Sequence, residues 1–236
     1  MRKAILVFCL LVLLVTGCAK RLSEDWILIA DTSISVFKNQ KALVDRGVSK
    51  VGEDFVRGVR TGSSLKLVGF SPLNTAYKHL VLAQHDFVLE VPADESRRQQ
   101  AQAIREKFTQ AIARAKGVRH TPLLEVIRFE SELIPADRTW RLVVISDLIQ
   151  STDNLNFTTQ YLANRGNSDI VADMLLVCPK PKNPPQSVTL YWYPGLLKQD
   201  QAIDPETHAR IRRLFNQFFR AWAGEGCKIS IEPLQE

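Results

Sequence analysis

Trp26-Ile27-Leu28-Ile29-Ala30-Asp31-Thr32-Ser33-Ile34-Ser35 opens as an apolar run of strand type, ends in one carboxylate, and then offers hydroxyls at alternate positions. The first residues after a buried strand face the crevice outside the carboxyl edge of an open α/β sheet, where such folds bind ligands. A carboxylate with hydroxyls suits a hard divalent cation, because Mg²⁺ takes six oxygens and keeps several waters. Two later stretches have the same character. Arg119-His120-Thr121-Pro122-Leu123-Leu124 puts a hydroxyl at a loop-to-helix junction, and Leu142-Val143-Val144-Ile145-Ser146-Asp147 is a second buried-strand run ending in a carboxylate. Thr121-Pro122 also has a plain structural reading, an N-cap followed by proline at the first helical position.

The D-x-S-x-S of Asp31, Ser33 and Ser35, then Thr121, then a strand ending in Asp147, resembles the metal-ion-dependent adhesion site of von Willebrand factor A domains. The resemblance runs from about Trp26 to Pro233. It implies that Ser33, Ser35 and Thr121 offer hydroxyl oxygens to Mg²⁺, or to Mn²⁺ or Ca²⁺ in its place, and that Asp31 and Asp147 reach the ion directly or through water. It also implies a binding module that completes the ion's coordination with a partner protein's acidic residue. Where that family often has glycine, this chain has His120 and Leu148.

At 236 residues, 45% of them hydrophobic and 24% charged, the chain has the composition of a globular protein with one α/β core. Met1 to Cys18 stands apart from that core: Arg2 and Lys3 precede an apolar run from Ala4 to Val15, too short for a standard spanning helix. Val15-Thr16-Gly17-Cys18 resembles the lipobox of bacterial lipoproteins. That resemblance implies a signal peptide over 1–17, a lipidated Cys18 with a short tether over 18–25, and a domain over 26–236. Each buried acyl CH₂ stabilises anchoring by about 0.8 kcal/mol, and firm anchoring takes more than one chain. The plainer alternative is an uncleaved N-terminal anchor. Ala19 after the cysteine leans toward the outer membrane, with the domain facing the periplasm. Loss of the two cations Arg2 and Lys3 takes the formal charge from +6 to +4. What remains is scattered, and neither a basic recognition helix nor a stacked-aromatic motif argues for nucleic acid.

Apolar positions at Val44, Val48, Val51, Phe55 and Val59 mark one helical face, although Gly47 and Gly52 each weaken a helix by about 1 kcal/mol relative to alanine. Leu65 to Phe70 reads as a strand, Leu80 to Val91 as an edge strand, and Pro92 breaks into a helix lined by Ile104, Phe108 and Ile112. Ile170 to Cys178 reads as a fifth strand and Lys228 to Glu232 as a sixth; between them, 179–203 reads as an insertion. Within it, Tyr191, Trp192 and Tyr193 form a candidate partner surface, with a hairpin packed on the domain's own flank as the alternative. Asp204-Pro205 caps a last helix. The whole predicts a three-layer αβα fold with a doubly wound, mostly parallel six-stranded sheet and one antiparallel edge strand.

Cys178 and Cys227 form a candidate disulfide for an oxidising compartment. The strand order assigned above sets them at opposite edges of the sheet, beyond the ~7 Å limit for bridging, so the sequence leaves the pair open. The four histidines show neither triad nor metal-ligand spacing, which argues against an enzyme. Two other readings compete with adhesion. A phosphoryl hydrolase would also place a carboxylate at the end of a strand, but it wants a second carboxylate where Ser33 stands. A structural lipoprotein would keep the site vacant.

Overall fold

The computed structural model describes residues 23–33, 41–70, 79–90, 92–115, 117–193, 196–197, 201–202 and 204–234, with backbone alone for 79, 196–197 and 201–202. Cys18 and Ser35, both singled out from the sequence, lie outside the described residues. β1 (Glu24–Ala30) leads through α1 (Lys41–Gly58) to β2 (Ser64–Phe70) and β3 (His79–Asp86). α2 (Ala93–Arg114) and α3 (Leu123–Leu133) precede β4 (Thr139–Ser146), and α4 (Thr159–Asn164) and α5 (Asn167–Val177) precede β5 (Ser187–Trp192). A small antiparallel ladder of β6 (Leu196–Leu197) and β7 (Gln201–Ala202) is followed by α6 (Pro205–Ala223) and β8 (Lys228–Pro233).

The six-stranded sheet has the order β3-β2-β1-β4-β5-β8, and every pairing is parallel except β2 with the edge strand β3. The chain builds outward from β1 to one side, then returns to lay β4 on the other. The order therefore reverses between β1 and β4, which is where a doubly wound sheet opens a crevice. β1 and β4 read as unbroken apolar runs because both faces are covered. Ile27, Ile29, Leu142 and Val144 point into one core with α3, α5 and α6, whereas Leu28, Ala30, Val143 and Ile145 point into a second core with α1 and α2. No described helix is long and apolar enough to cross a membrane.

Gly47 and Gly52 of α1 are packing residues. A methyl group at Gly47 would come within 2.9 Å of Ile145 Cδ1, and one at Gly52 within 2.7 Å of Ile104 Cγ2. Gly52→Ala gains about 1 kcal/mol of helix propensity, but displacing a β-branched neighbour in a filled core costs about 1–3 kcal/mol. The variant is expected to melt lower than wild type by a few degrees in scanning calorimetry; an unchanged or higher midpoint would show that Ile104 moves aside freely.

The structure corrects the sequence reading between 170 and 203. Ile170 to Cys178 is no strand: Ile170 to Val177 lies in α5 and Cys178 caps it, with Ile170, Met174 and Cys178 buried at successive turns. The stretch 179–203 is no insertion either, because it contains β5, which pairs with β4 on one side and β8 on the other. Its approach is held by two indoles. Trp140 Nε1 donates to the Asn183 carbonyl and Trp222 Nε1 to the Pro179 carbonyl, each at 2.9 Å. The candidate disulfide is absent: Cys178 is a buried free thiol, pushed well above the usual thiol range by burial, and Cys227 is a half-buried free thiol. Asp204 caps α6 as expected, accepting from the Thr207 amide at 2.8 Å.

Candidate metal centre

Register alone brings the two strand-end carboxylates together. β1 and β4 pair through Ala30 and Ile145, and the Asp31 amide continues the ladder by donating to the Ile145 carbonyl at 2.9 Å. Asp31 therefore leaves the sheet beside Ser146 and Asp147. Its carboxylate is fully buried: Oδ1 accepts from the Ser33 amide and Oδ2 from the Ser146 hydroxyl, both at 2.8 Å. Asp147 is also buried, and its Oδ1 accepts from the Ile149 amide at 3.0 Å.

Burial lifts the Asp31 carboxyl above the ordinary carboxylate range, and hydrogen bonds from Ser33 and Ser146 offset that only in part. Asp147 is held well above the range, first by burial and then by the negative charge of Asp31. Burial disfavours the charge of both carboxylates, and that of Asp31 further disfavours that of Asp147, a cost that a proton or a cation would relieve.

The loops carrying the hydroxyls are pinned around this pair. Thr32 Oγ1 accepts from the Phe70 amide at 2.9 Å and its carbonyl from the Val118 amide at 3.1 Å, and Ser33 bridges to Val118. Thr121 exchanges backbone hydrogen bonds with Ser151, which ties the Thr121 loop to the one that follows Asp147. Ser33 and Thr121 are both buried. Thr121 does not cap α3: that helix begins at Leu123 with Pro122 before it, and Gln150 Oε1 accepts from the Leu124 amide at 3.1 Å instead. Gln150 and Thr152 also donate to the buried Glu125 carboxylate in the first turn of α3, each at 2.7 Å, which fixes the rim.

Leu148 stands where the resembled motif favours glycine, yet its backbone takes a left-handed φ of 66° with the side chain fully buried in the core. The loop keeps the shape a glycine would give it, and burial of the leucine offsets backbone strain of about 1–3 kcal/mol. His120, at the other departure, is exposed.

The aromatic trio is no partner surface. Tyr191 and Tyr193 are buried. Trp192 is half-buried, with its ring centroid 4.7 Å from that of His208 and the Arg212 guanidinium 4.0 Å above it. His208 is buried too, and burial lowers its pKa. Sequence reasoning missed Ser146 and placed Tyr193 outside. The signal for Tyr193 is the strand-end register of β5 against β4; Ser146 carries none beyond standing next to Asp147.

Among the described residues, no group of three or more His, Cys, Asp and Glu side chains is gathered where it could hold a metal. The donors at the crevice are oxygens, two carboxylates with neighbouring hydroxyls, and that set matches hard ions such as Mg²⁺ and Mn²⁺ rather than zinc or copper.

No protein-family model matches this sequence, and no curated protein does. Solved structures similar to it include a von Willebrand factor type A protein from Catenulispora acidiphila, at 10% identity over 89% of this chain and 39% of that one, with a TM-score of 0.45. An aerotolerance-related membrane protein from Bacteroides fragilis is similar at 11% identity over 89% of this chain and 91% of the other, with a TM-score of 0.42. The pilus adhesin SpaC from Lactobacillus rhamnosus GG is similar at 16% identity over 90% and 24% of the two chains, with a TM-score of 0.40.

Proposed function

We propose that this chain is a von Willebrand factor A-type binding module of a bacterial envelope lipoprotein, and that its strand-end centre holds Mg²⁺ or Mn²⁺ to recognise an acidic residue of a partner protein. The observation that carries this reading is the burial of Asp31 and Asp147 at neighbouring strand ends at the switch point of the sheet, with the charge of Asp31 disfavouring that of Asp147. Asp31 and Asp147 would hold the ion with the hydroxyls of Ser33, Ser35 and Thr121. A bound cation supplies an open coordination position that a carboxylate can fill. The protein's own part is to pin the three loops, keep bulk water from the carboxylates and tune the proton affinity of Asp31 through Ser33 and Ser146. The module binds and does not catalyse. Cys18, lipidated, would tether it to the membrane with the domain in the periplasm, at the outer membrane if Ala19 is read as above.

Calorimetric titration of Mg²⁺ and of Mn²⁺ into the detergent-solubilised full-length protein checks the centre. Wild type is expected to bind one ion and Asp31→Ala none. A wild type silent toward both ions at millimolar concentration would end the metal reading. Crosslinking in membranes with and without chelator then tests whether a protein contact depends on the ion.

A further inference from the structure

We propose that Tyr193 is a third strand-end group of this centre, a positioning residue whose hydroxyl oxygen accepts a hydrogen bond from a water that the cation retains, and that it thereby favours Mg²⁺ over Ca²⁺. The inference rests on the metal reading above and goes beyond it to selectivity. β4 and β5 run parallel with Ser146 opposite Trp192, so the next residues, Asp147 and Tyr193, leave the sheet as neighbours. β1 adds Asp31 on the far side of Asp147. Three adjacent parallel strands thus deliver two carboxylates and one phenol to a single edge.

The phenol is unusual in its surroundings. Tyr193 is 0% exposed, and among the described residues its hydroxyl has no hydrogen-bond partner. The Asp147 amide is nearby without meeting hydrogen-bond geometry. Burial, then the charges of Asp31 and Asp147, keep the phenol neutral, so the hydroxyl lies within electrostatic reach of both carboxylates. An unsatisfied buried hydroxyl is unfavourable, and native proteins keep one where something beyond the chain completes it. A neutral phenol both donates to and accepts from water, which makes it a better partner for a hydrated ion than for a bare one. Mg²⁺ dehydrates reluctantly and keeps several waters, whereas Ca²⁺ takes more protein oxygens in a looser shell.

Tyr193→Phe removes the oxygen and keeps the ring. Mg²⁺ and Ca²⁺ are titrated calorimetrically into the full-length wild type and variant in the same detergent, and both metal-free proteins are melted. The expected result is about a tenfold weaker Mg²⁺ dissociation constant, the worth of one hydrogen bond to a polarised water. Ca²⁺ is expected to change less than about threefold by the same accounting, and the metal-free variant to melt no lower than wild type. Unchanged Mg²⁺ affinity, equal loss for both ions, or a metal-free variant melting several degrees lower would overturn the inference. Wild-type binding and its loss in Asp31→Ala report on the metal reading separately, so the two ideas fail by different results.

Discussion

Trp222→Ala is expected to lower the free energy of unfolding by about 3–5 kcal/mol, the range for truncating a large buried aromatic side chain. A domain of this kind has about 5–15 kcal/mol in total, so the shift in the urea midpoint should be a large fraction of the whole. Trp222 is almost completely buried in the core on the α6 face of the sheet. It stacks on Phe218 at 6.1 Å between ring centroids, meets Trp140 edge-on at 6.2 Å, and meets Phe219 edge-on at 5.9 Å. Its indole also holds the Pro179 carbonyl, and Trp140 holds Asn183, so the pair anchors the segment that delivers β5. Trp222→Phe should recover most of the packing but not the hydrogen bond, and so fall between wild type and alanine. Equal midpoints for the alanine variant and wild type would mean that this cluster does not support the fold.

The same tryptophan explains part of what the sequence hid. Ile170-Val171-Ala172-Asp173-Met174-Leu175-Leu176-Val177-Cys178 is short and apolar, and a run of that kind is ambiguous between a buried strand and a helix. The burial pattern decides it, since Ile170, Met174 and Cys178 face inward at steps of four while Leu176 is 81% exposed. The step of four is present in the sequence, but nine residues are too few to separate the two periods. Val188-Thr189-Leu190-Tyr191-Trp192 carried an ordinary strand composition, masked by the run of prolines before it and Pro194-Gly195 after it. With Ile170 to Cys178 read as a strand, no place in the sheet remains for β5. Tyr193 was consequently placed on a surface, when the register sets it beside Asp147.

The centre itself was more legible than the region around it. Asp31 and Asp147 each end an apolar strand, and strand ends at a switch point converge whatever the loops do. Thr121 stands out through its motif, whereas its freedom from capping duty is not legible there, because that depends on Gln150 reaching Leu124 across the fold. Ser146 carried no signal beyond standing next to Asp147, yet it accounts for one of the two carboxylate oxygens of Asp31. Gly47 and Gly52 likewise read as weak points of α1 until their neighbours are known.

Asp147→Asn is expected to do two opposite things. It should abolish binding of Mg²⁺, and it should raise the stability of the metal-free protein at pH 7 by about 1–3 kcal/mol, the scale of relieving a buried uncompensated polar or charged group. Asparagine keeps an oxygen for the Ile149 amide, so the loop is retained while the charge facing Asp31 is removed. The pH dependence fixes the sign. In the folded protein both carboxyl groups hold their protons to higher pH than in the unfolded chain, mainly through burial. The native state therefore binds the excess protons, and the stability this pair contributes is fully present below the unfolded carboxylate pKa, near 4, and is lost as pH rises through the raised folded values. Metal-free wild type should accordingly lose stability relative to Asp147→Asn as pH rises from about 4 toward 7, and the two should converge at the acid end. Saturating Mg²⁺ should restore the wild type at pH 7 and leave the variant unmoved, because an ion replaces the protons as counter-charge. Urea denaturation across that pH range, with and without Mg²⁺, measures all four arms. A variant less stable than metal-free wild type at pH 7 would show that the paired carboxylates are structural, already neutralised within the fold, and not held in readiness for an ion.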